Sequence, residues 1–395
     1  MQKKLIALAV AGLASTGAFA QANVTVYGVA DASFDVVRTS NAVSELGNTT
    51  RVSTNSSLIG FKGAEALGNG LTAVFQYESG VSFDNTGAFG ATRDSFVGLA
   101  GGFGTVVLGN LTGPTRALGG AVDVNAGATG FGANAALLGK LGNNLLGTTD
   151  TTTGSYGSAG NATCGRSSTC TSIFDTRWKN AIAYVSPSFA GLNVTAAYVA
   201  NENKTFNNNG FGAAYNPSNT KGYDVGLKYA NGPAMAAVTY NAVSVGNEAN
   251  TDISDFRVGG VYDFGMASVR AVFDRARADH YSTVGTVTQN VFGLGGTFNV
   301  TPAGKLLAQA YFARDLKVNG SSAKDTGAKL FEIGYEHSLS KRTMLKAVYA
   351  HLNNDNSASY DFGINAVGVN NTAYAGGNTA GATLQGLQLG LRHSF

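Results

Sequence analysis

The chain ends with the stretch GLQLGLRHSF over 386–395, and this stretch decides the fold. Its odd-numbered positions carry three leucines, a histidine and a final phenylalanine, whereas its even-numbered positions carry glycine, glutamine, arginine and serine. A period of two over this length predicts a β-strand with one apolar and one polar face. Because chain ends usually fray, a strand that runs to a terminal aromatic residue indicates the closing strand of a membrane barrel. Taken alone, the stretch also fits the last strand of a soluble β-sandwich.

The other end of the chain predicts export. Lys3 and Lys4 precede an apolar run over 5–14, and 18–20 reads AFA, which matches the A-x-A pattern of a signal-peptide cleavage site. The apolar run is too short to span a bilayer as a helix. We therefore predict a cleaved signal peptide over 1–20 and a mature chain over 21–395. No later segment is a continuous apolar stretch of helical spanning length, so a membrane-spanning mature chain must form a closed barrel.

The composition favours strands joined by polar turns. Only 13% of the residues are charged, against a norm of about 25%, and the chain contains 54 glycines but 5 prolines. Hydrophobic residues make up 44% of the chain without forming long runs. The formal net charge of +3 includes the two signal-peptide lysines. The mature chain is therefore close to neutral, which argues against a polybasic nucleic-acid-binding protein.

Alternating segments follow one another from Asn23 to the C-terminus and predict sixteen strands. Short turns at 67–70, 101–104 and 339–342 alternate with longer loops, of which 111–176 is by far the longest. An even number of strands with short turns on one side and long loops on the other is typical of an outer-membrane barrel. The sequence therefore predicts an all-β, 16-stranded antiparallel transmembrane β-barrel. The predicted strands include 223–229, 235–243, 255–262, 268–275 and 291–298.

The charged residues of these strands share the polar face. A lysine or arginine that faced lipid at the midplane would cost roughly 2–4 kcal/mol, so the polar face must line the interior. Sixteen strands leave a water-filled channel, whereas eight would be filled by side chains. The strand charges on the polar face are Arg93, Lys179, Lys228, Arg257, Arg270, Lys346, Arg392, Glu78, Asp224, Glu332 and Glu336.

Six segments resemble the general porins of β-proteobacterial outer membranes, of the Neisserial type. They are VYGVAD (26–31), GFKGAEALG (60–68), VGLAGGFGTV (97–106), YVSP (184–187), GYEHSLSKRT (334–343) and RHSF (392–395). Each segment is short, but their order and spacing are specific and cover essentially the whole mature chain. The resemblance implies a homotrimer in the outer membrane whose third loop, here 111–176, folds into the lumen and forms a constriction. It further implies passive diffusion of ions and small hydrophilic solutes, with no enzymatic activity and no cofactor.

The resemblance also implies where the constriction lies. Arg93 matches the family's arginine on the fourth strand, and Arg177 stands at the start of the sixth. The chain departs from the family at Leu58, where an arginine is frequent, and in the third loop, which lacks the family's frequent acidic cluster. The predicted pore-lining residues are Lys62, Arg93, Arg116, Asp123, Arg177, Glu78 and Asp31.

A basic wall that faces a weakly acidic loop predicts a mild preference for anions, with Arg93 as the largest single contributor. In water, two charges 10 Å apart interact by only about 0.4 kcal/mol. One arginine therefore cannot select ions in a wide pore, whereas a cluster at a narrow neck can. Each of these side chains could instead be an ordinary solvated lumen charge, and the sequence alone leaves that alternative open.

Other chemical signals are few. Cys164 and Cys170 predict a disulfide, because an exported chain meets an oxidising compartment. No histidines show the spacing of metal ligands, and no phosphate-binding loop or nucleophile elbow occurs. Trp178 and the strand tyrosines are typical of interfacial belts. Phe395 at the end of the last strand resembles the signal that the outer-membrane insertion machinery reads.

Two other classes of function remain as alternatives. A β-solenoid adhesin would suit a chain rich in glycine, asparagine and threonine, but no repeat of fixed period is present. An outer-membrane hydrolase would need a serine and a histidine that meet at the barrel wall. The chain has four histidines, and none has an obvious partner.

Overall fold

The computed structural model describes residues 23–41, 48–84, 90, 93–141, 174–200, 204–206, 217–246, 251–281, 285–367 and 380–395. The predicted signal peptide over 1–20 and the predicted disulfide between Cys164 and Cys170 lie outside these residues. No helix in the described part of the chain has the length and apolar character needed to cross a membrane.

Sixteen strands form one closed antiparallel sheet, as the alternation predicts. The first eight are β1 (Asn23–Ser40), β2 (Thr49–Thr54 continued by Leu58–Gly68), β3 (Leu71–Gly80), β4 (Ser95–Gly101), β5 (Gly104–Thr112), β6 (Arg177–Val185), β7 (Leu192–Val199) and β8 (Pro217–Asn231). The second eight are β9 (Ala234–Gly246), β10 (Thr251–Asp263), β11 (Ala267–Tyr281), β12 (Gly285–Asn299), β13 (Gly304–Ala313), β14 (Ala328–Ser338), β15 (Thr343–Asn354) and β16 (Thr383–Ser394). Short paired segments extend the sheet at its long-loop edge: Lys204–Phe206, Lys317–Val318 and Ser321–Ser322.

The first and last strands close the barrel. β1 pairs with β16 from Val29–Ser394 to Ser40–Thr383, and Phe395 exchanges two backbone hydrogen bonds of 3.1 Å with Gly28. The Phe395 ring lies over Gly28, so a side chain at position 28 would collide with it. A closed sheet whose first and last strands pair with each other is incompatible with a β-solenoid.

The two faces of the barrel match the sequence alternation. On β16, Leu389 is 51% exposed on the outer face, whereas Gln388 is fully buried on the inner face. The Gln388 amide donates a hydrogen bond to Ser33 Oγ at 3.1 Å on the inner face of β1. Exposed aromatic side chains surround the outer wall, as expected for interfacial belts, and include Tyr184, Tyr198, Tyr223, Tyr229, Tyr240, Tyr262, Phe292 and Phe312.

Most strands are longer than the alternation predicts, mainly at the long-loop end. The predicted strand 268–275 is observed as Ala267–Tyr281, and the predicted strand 291–298 as Gly285–Asn299. The turn-side ends of the five strands named above agree within two residues, because the apolar outer face stops there at a tight turn. At the opposite end, backbone pairing continues beyond the apolar band, where polar residues such as Arg275 and Arg277 occupy the outer face. An alternation with its apolar residues outward therefore does not extend to these residues.

A β-bulge in β6 reverses the faces that the sequence predicts for two of its side chains. The register between β5 and β6 shifts between Gly109 and Leu111, and Asn180 adopts a left-handed conformation with φ of 52°. The extra residue turns Lys179 to the exposed side and Trp178 into the interior. The assignments of Trp178 to an interfacial belt and of Lys179 to the lumen are therefore wrong, because both assume uninterrupted alternation.

We expect Phe395→Ala to reduce the amount of folded barrel in the outer membrane without reducing export. The substitution removes the ring that covers Gly28 and the last apolar contact of the closing strand. The measurement is the heat-modifiable band of folded protein in isolated outer membranes, compared with total exported protein. Phe189→Ala is the control, because Phe189 is 83% exposed in a turn. Equal folded fractions for the two variants would contradict the prediction.

Candidate functional site

The connection between β5 and β6 packs against the inner faces of other strands. Helix α1 (Pro114–Val122) begins with proline at its first turn, where the missing N–H costs nothing. Its Thr115, Leu118 and Val122 are buried, and the helix contacts β8, β9, β10 and β11. Gly226 on β8 permits this contact, since a Cβ there would lie 2.6 Å from Pro114 Cβ.

An aspartate on β8 holds the start of α1. Thr115 donates its hydroxyl to Asp224 Oδ1 at 2.7 Å and its backbone N–H to the same carboxylate at 3.2 Å. The indole N–H of Trp178 donates to Asp224 Oδ2 at 3.2 Å. Burial of Asp224 is thus matched by donors from the loop and from β6, which fixes the helix start against the wall.

A buried arginine joins both ends of the same loop. The Arg257 guanidinium on β10 donates to the Thr115 carbonyl at 3.0 Å and to Asp175 Oδ1 at 2.8 Å. Its Nε donates to Asp274 Oδ2 on β11 at 2.7 Å, and Asp255 Oδ1 lies 3.8 Å away. Thr115 opens the loop and Asp175 closes it, so one side chain fixes the loop at both of its attachments.

A second polar cluster holds the middle of the loop. Asp123 accepts hydrogen bonds from the backbone N–H groups of Asn125 at 2.8 Å and Asn134 at 2.7 Å. The side-chain amides of Asn125 and Gln309 donate to Glu332 Oε2 on β14 at 2.9 and 2.6 Å. Burial raises the pKa of Asp123 above its usual range, although the hydrogen bonds oppose this shift. The predicted pore-lining carboxylate therefore faces the packed side of the loop.

A group of charged side chains on β2 to β6 lines the side of the interior away from these anchors. Arg93 Nε lies 3.4 Å from Glu78 Oε2, and Arg177 Nε lies 3.2 Å from Asp94 Oδ1. These four side chains are 11–21% exposed, so solvent reaches them. The structure thus brings three of the predicted site residues together and adds Asp94. Regular alternation after Arg93 would turn Asp94 outward, but β4 begins only at Ser95, so both residues face inward.

Lys62 and Arg116 join this group from two other directions. The Tyr27 hydroxyl donates to Glu78 Oε1 at 2.8 Å, and Lys62 Nζ lies 5.0 Å from the centre of the Tyr27 ring. Arg116 projects from α1, and burial together with the positive charges of Arg177 and Arg93 lowers its pKa to about 10. At neutral pH, Arg116 is therefore still charged.

Asp31 stands in a separate basic group on β1, β15 and β16. Its carboxylate lies 2.6 Å from Lys346 Nζ and 2.9 Å from Arg392 Nη1. Asp31 is fully buried, whereas Arg392 remains 16% exposed. One carboxylate thus balances two cations, and the excess charge of this group is positive.

A second loop segment, which the sequence analysis did not identify, also packs inside the barrel. Tyr360 and Phe362, between β15 and β16, are fully buried. The Phe362 ring stacks on Phe131 of the β5–β6 loop with centroids 4.9 Å apart, and the Tyr360 hydroxyl donates to Gln289 on β12 at 2.8 Å. The only sequence signal was SYDF (359–362), two aromatic residues inside a loop of small polar residues.

The described contacts therefore divide the interior into two sides. Loop residues pack against β8 to β14 and, through Gly130 and Phe131, against Gln388 and Gly386 of β16. Partly exposed charges remain on β2 to β6 and at Arg392 of β16.

Six basic residues contribute to the open side, namely Lys62, Arg93, Arg116, Arg177, Lys346 and Arg392. Three acidic residues in the described part of the chain oppose them, namely Asp31, Glu78 and Asp94. The pair Arg51–Asp35 on β2 and β1 adds one charge of each sign and leaves the difference unchanged.

The chain is similar to known porins over its whole length. The family model described as Gram-negative porin matches residues 7–357. Outer membrane porin protein 32 of Delftia acidovorans is 31% identical over 399 residues, which cover 100% of both chains. The major outer membrane protein P.IB of Neisseria lactamica is 28% identical over 87% of this chain and 91% of its own.

A solved structure agrees with this assignment. The anion-selective porin from Comamonas acidovorans superposes with a TM-score of 0.72 and 26% identity, and the match covers 95% of this chain and 100% of that porin. The family match, the full-length relative and the closed sixteen-stranded barrel lead to one conclusion. The chain belongs to the Gram-negative porin family and forms a channel in the outer membrane.

Proposed function

We propose that the protein is a homotrimeric porin with weak anion selectivity, through which ions and small hydrophilic solutes diffuse passively. In this proposal, the constriction lies between the β5–β6 loop and the charged walls formed by β2 to β6 and β16. The observation that supports it best is the excess of basic over acidic side chains on that open side.

The ion pairs determine how much of this charge acts on a passing ion. Glu78 and Asp94 balance Arg93 and Arg177, and Asp31 balances one of its two cations. Lys62, Arg116 and one further cation remain as the net charge. At an effective dielectric constant of about 20, the interaction energy between one unit charge and an ion 10 Å away is roughly 1.7 kcal/mol. Three such charges at a neck are enough for a measurable preference, and salt screens part of it.

We expect Arg116, and not Arg93 as the sequence predicts, to be the largest single contributor to anion selectivity. Arg93 is paired with Glu78, whereas the described part of the chain shows no ion pair for Arg116. Arg116 is therefore the loop's contribution to the selective charge, and Arg93 and Arg177 contribute less because their carboxylate partners cancel them. The similar porin of Comamonas acidovorans is described as anion-selective, which supports the sign of the preference.

We expect Arg116→Ala to shift the reversal potential in a salt gradient toward cation permeation by more than Arg93→Ala does. Arg116 has no ion-pair partner among the described residues, although the charges of Asp175 and Asp94 act on it. Removal of Arg93 instead breaks a pair and leaves Glu78 beside Tyr27. Lys341→Ala in the exposed turn between β14 and β15 is the control and should leave the potential unchanged. A cation-selective wild-type channel would refute the proposed selectivity.

We expect Arg257→Gln to raise the single-channel conductance and to lower thermal stability, because it leaves Asp175 and Asp274 buried without their partner. Breaking a buried pair typically costs about 3–5 kcal/mol. The milder variant Asp175→Asn releases only the closing end of the loop and should change conductance without a large loss of stability. Lys228→Gln, an exposed lumen charge on β8, is the control. Conductance at the wild-type level in both Arg257→Gln and Asp175→Asn would contradict the anchoring role.

The trimer is tested independently of the pore. The protein extracted in mild detergent should have a native mass of three chains, and boiling should convert it to monomer. A native mass of one chain under the same conditions would refute the homotrimer but would not contradict the channel function.

A further inference from the structure

Three polar side chains on the inner face of β9 and β10 are buried without a hydrogen-bond partner. Thr239 is 2% exposed, and Asn241 and Asp255 are fully buried. In the described part of the chain, the Thr239 hydroxyl, the Asn241 amide and both oxygens of the Asp255 carboxylate make no hydrogen bond. We call these three residues the oxygen cluster. Buried polar groups in folded proteins nearly always have a partner, so the oxygen cluster points to a ligand.

Strand register directs the oxygen cluster toward one point. Asn241 is paired directly with Asp255, and the Cβ atoms of such a pair lie about 4.5–5.5 Å apart. Thr239 is the next residue on the same face of β9 and lies diagonally across from Asp255, at a separation that side chains can still bridge through a shared ligand. Carboxylate, amide and hydroxyl oxygens can therefore contact a single small ligand between the two strands.

The β5–β6 loop separates the oxygen cluster from the channel. On the neighbouring strand β8, the carboxylate of Asp224 is held by the start of α1. Toward the long-loop end, the cluster adjoins Val243 and Ile253, which belong to one buried apolar cluster with Phe174 of the loop. A ligand of the oxygen cluster would therefore be part of the structure beneath the loop and not a solute that passes through the pore.

The charge of Asp255 is only weakly balanced by the protein. Arg257 donates hydrogen bonds to Asp175 and Asp274 at 2.8 and 2.7 Å. Asp255 Oδ1 lies 3.8 Å from Arg257 Nε, which is beyond hydrogen-bond distance. The like charge of Asp274 also acts on Asp255. One guanidinium thus serves two other carboxylates first, and a buried carboxylate in this situation needs a further counter-charge.

We propose that the oxygen cluster binds one monovalent alkali cation, sodium or potassium, beneath the β5–β6 loop. Carboxylate, carbonyl and hydroxyl oxygens are the ligands of hard cations, and one cation satisfies all three side chains together. A single positive charge matches the one weakly balanced carboxylate, whereas a divalent ion would be repelled more strongly by the nearby Arg257. Among the residues that the structure describes, no three acidic, histidine or cysteine side chains are arranged to hold a metal ion, which also argues against a divalent ion.

The test is thermal unfolding of the purified protein in detergent, at fixed pH and ionic strength, in sodium, potassium or N-methylglucamine chloride. An ion that binds only the folded state raises its stability. We expect the wild-type midpoint to be at least about 3 °C higher in an alkali salt than in the N-methylglucamine salt. Asp255→Asn should remove this difference, because the neutral amide does not need a counter-charge. Asp252→Asn is the matched control, since it makes the same change at an exposed position of the same strand and should keep the wild-type difference.

Three results would overturn the proposal. Equal wild-type midpoints in the three salts would exclude an alkali cation, and a midpoint that then varies with pH would identify a proton shared by Asp255 and Asp274 as the occupant. An alkali-dependent midpoint that persists in Asp255→Asn would place the ion elsewhere. A larger shift with about 1 mM CaCl2 than with either alkali salt, lost in Asp255→Asn, would identify a divalent ion.

A second variant keeps the test decisive if Asp255→Asn does not fold. Asn241→Leu removes the amide oxygen but keeps the carboxylate, and it should also lose the difference between the salts. A gain in stability that is equal in all three salts would show instead that the amide binds no cation. The channel function and its selectivity do not depend on these outcomes, because the oxygen cluster does not face the channel.

Discussion

Closure of the sheet is the constraint on which the rest of the molecule depends. Inside a bilayer, each backbone N–H and C=O needs a partner from the protein, and a sheet with open edges cannot supply one. β1 and β16 meet this requirement over twelve residue pairs. The last hydrogen bonds are made by the terminal residue itself, through Phe395 and Gly28. Closure also fixes which face of every strand contacts lipid. The charged side chains therefore lie on the opposite face, which lines the interior.

The charged side chains of the interior have two distinct roles. On the side of β8 to β14, aspartates, glutamate and Arg257 are buried and hold loop residues in place through short hydrogen bonds. On the side of β2 to β6, Arg93 and Arg177 remain partly exposed beside their carboxylate partners, and Lys62 and Arg116 add positive charge. The same residue types therefore serve as structural anchors or as pore charges according to whether the loop covers them. Burial, and not residue type, separates the two groups.

This distinction explains what could be predicted from the sequence. Alternation and turn residues give the strand count, the strand order and the turn-side ends, because each follows from local chemistry. Alternation fails at Asn180, since a single-residue bulge reverses the faces on either side and leaves no compositional trace. Asp123 shows the second limit, because only the folded loop reveals that this carboxylate is buried against Gln309 and Glu332. The inward packing of Tyr360 and Phe362 is equally a property of long-range contacts.

The attachment of both ends of one loop to Arg257 has a consequence for how such a channel can change over evolutionary time. With Thr115 and Asp175 fixed to the same guanidinium, the intervening chain is an insert whose ends stay close together. The entropic cost of closing a loop grows slowly, by about 0.6 kcal/mol for each doubling of length. Changes in the length of this insert can therefore accumulate at small cost to the barrel, whereas the buried positions around Asp123 and Phe131 have to keep their packing. The pore can be rebuilt for new solutes while the membrane-spanning wall remains as it is.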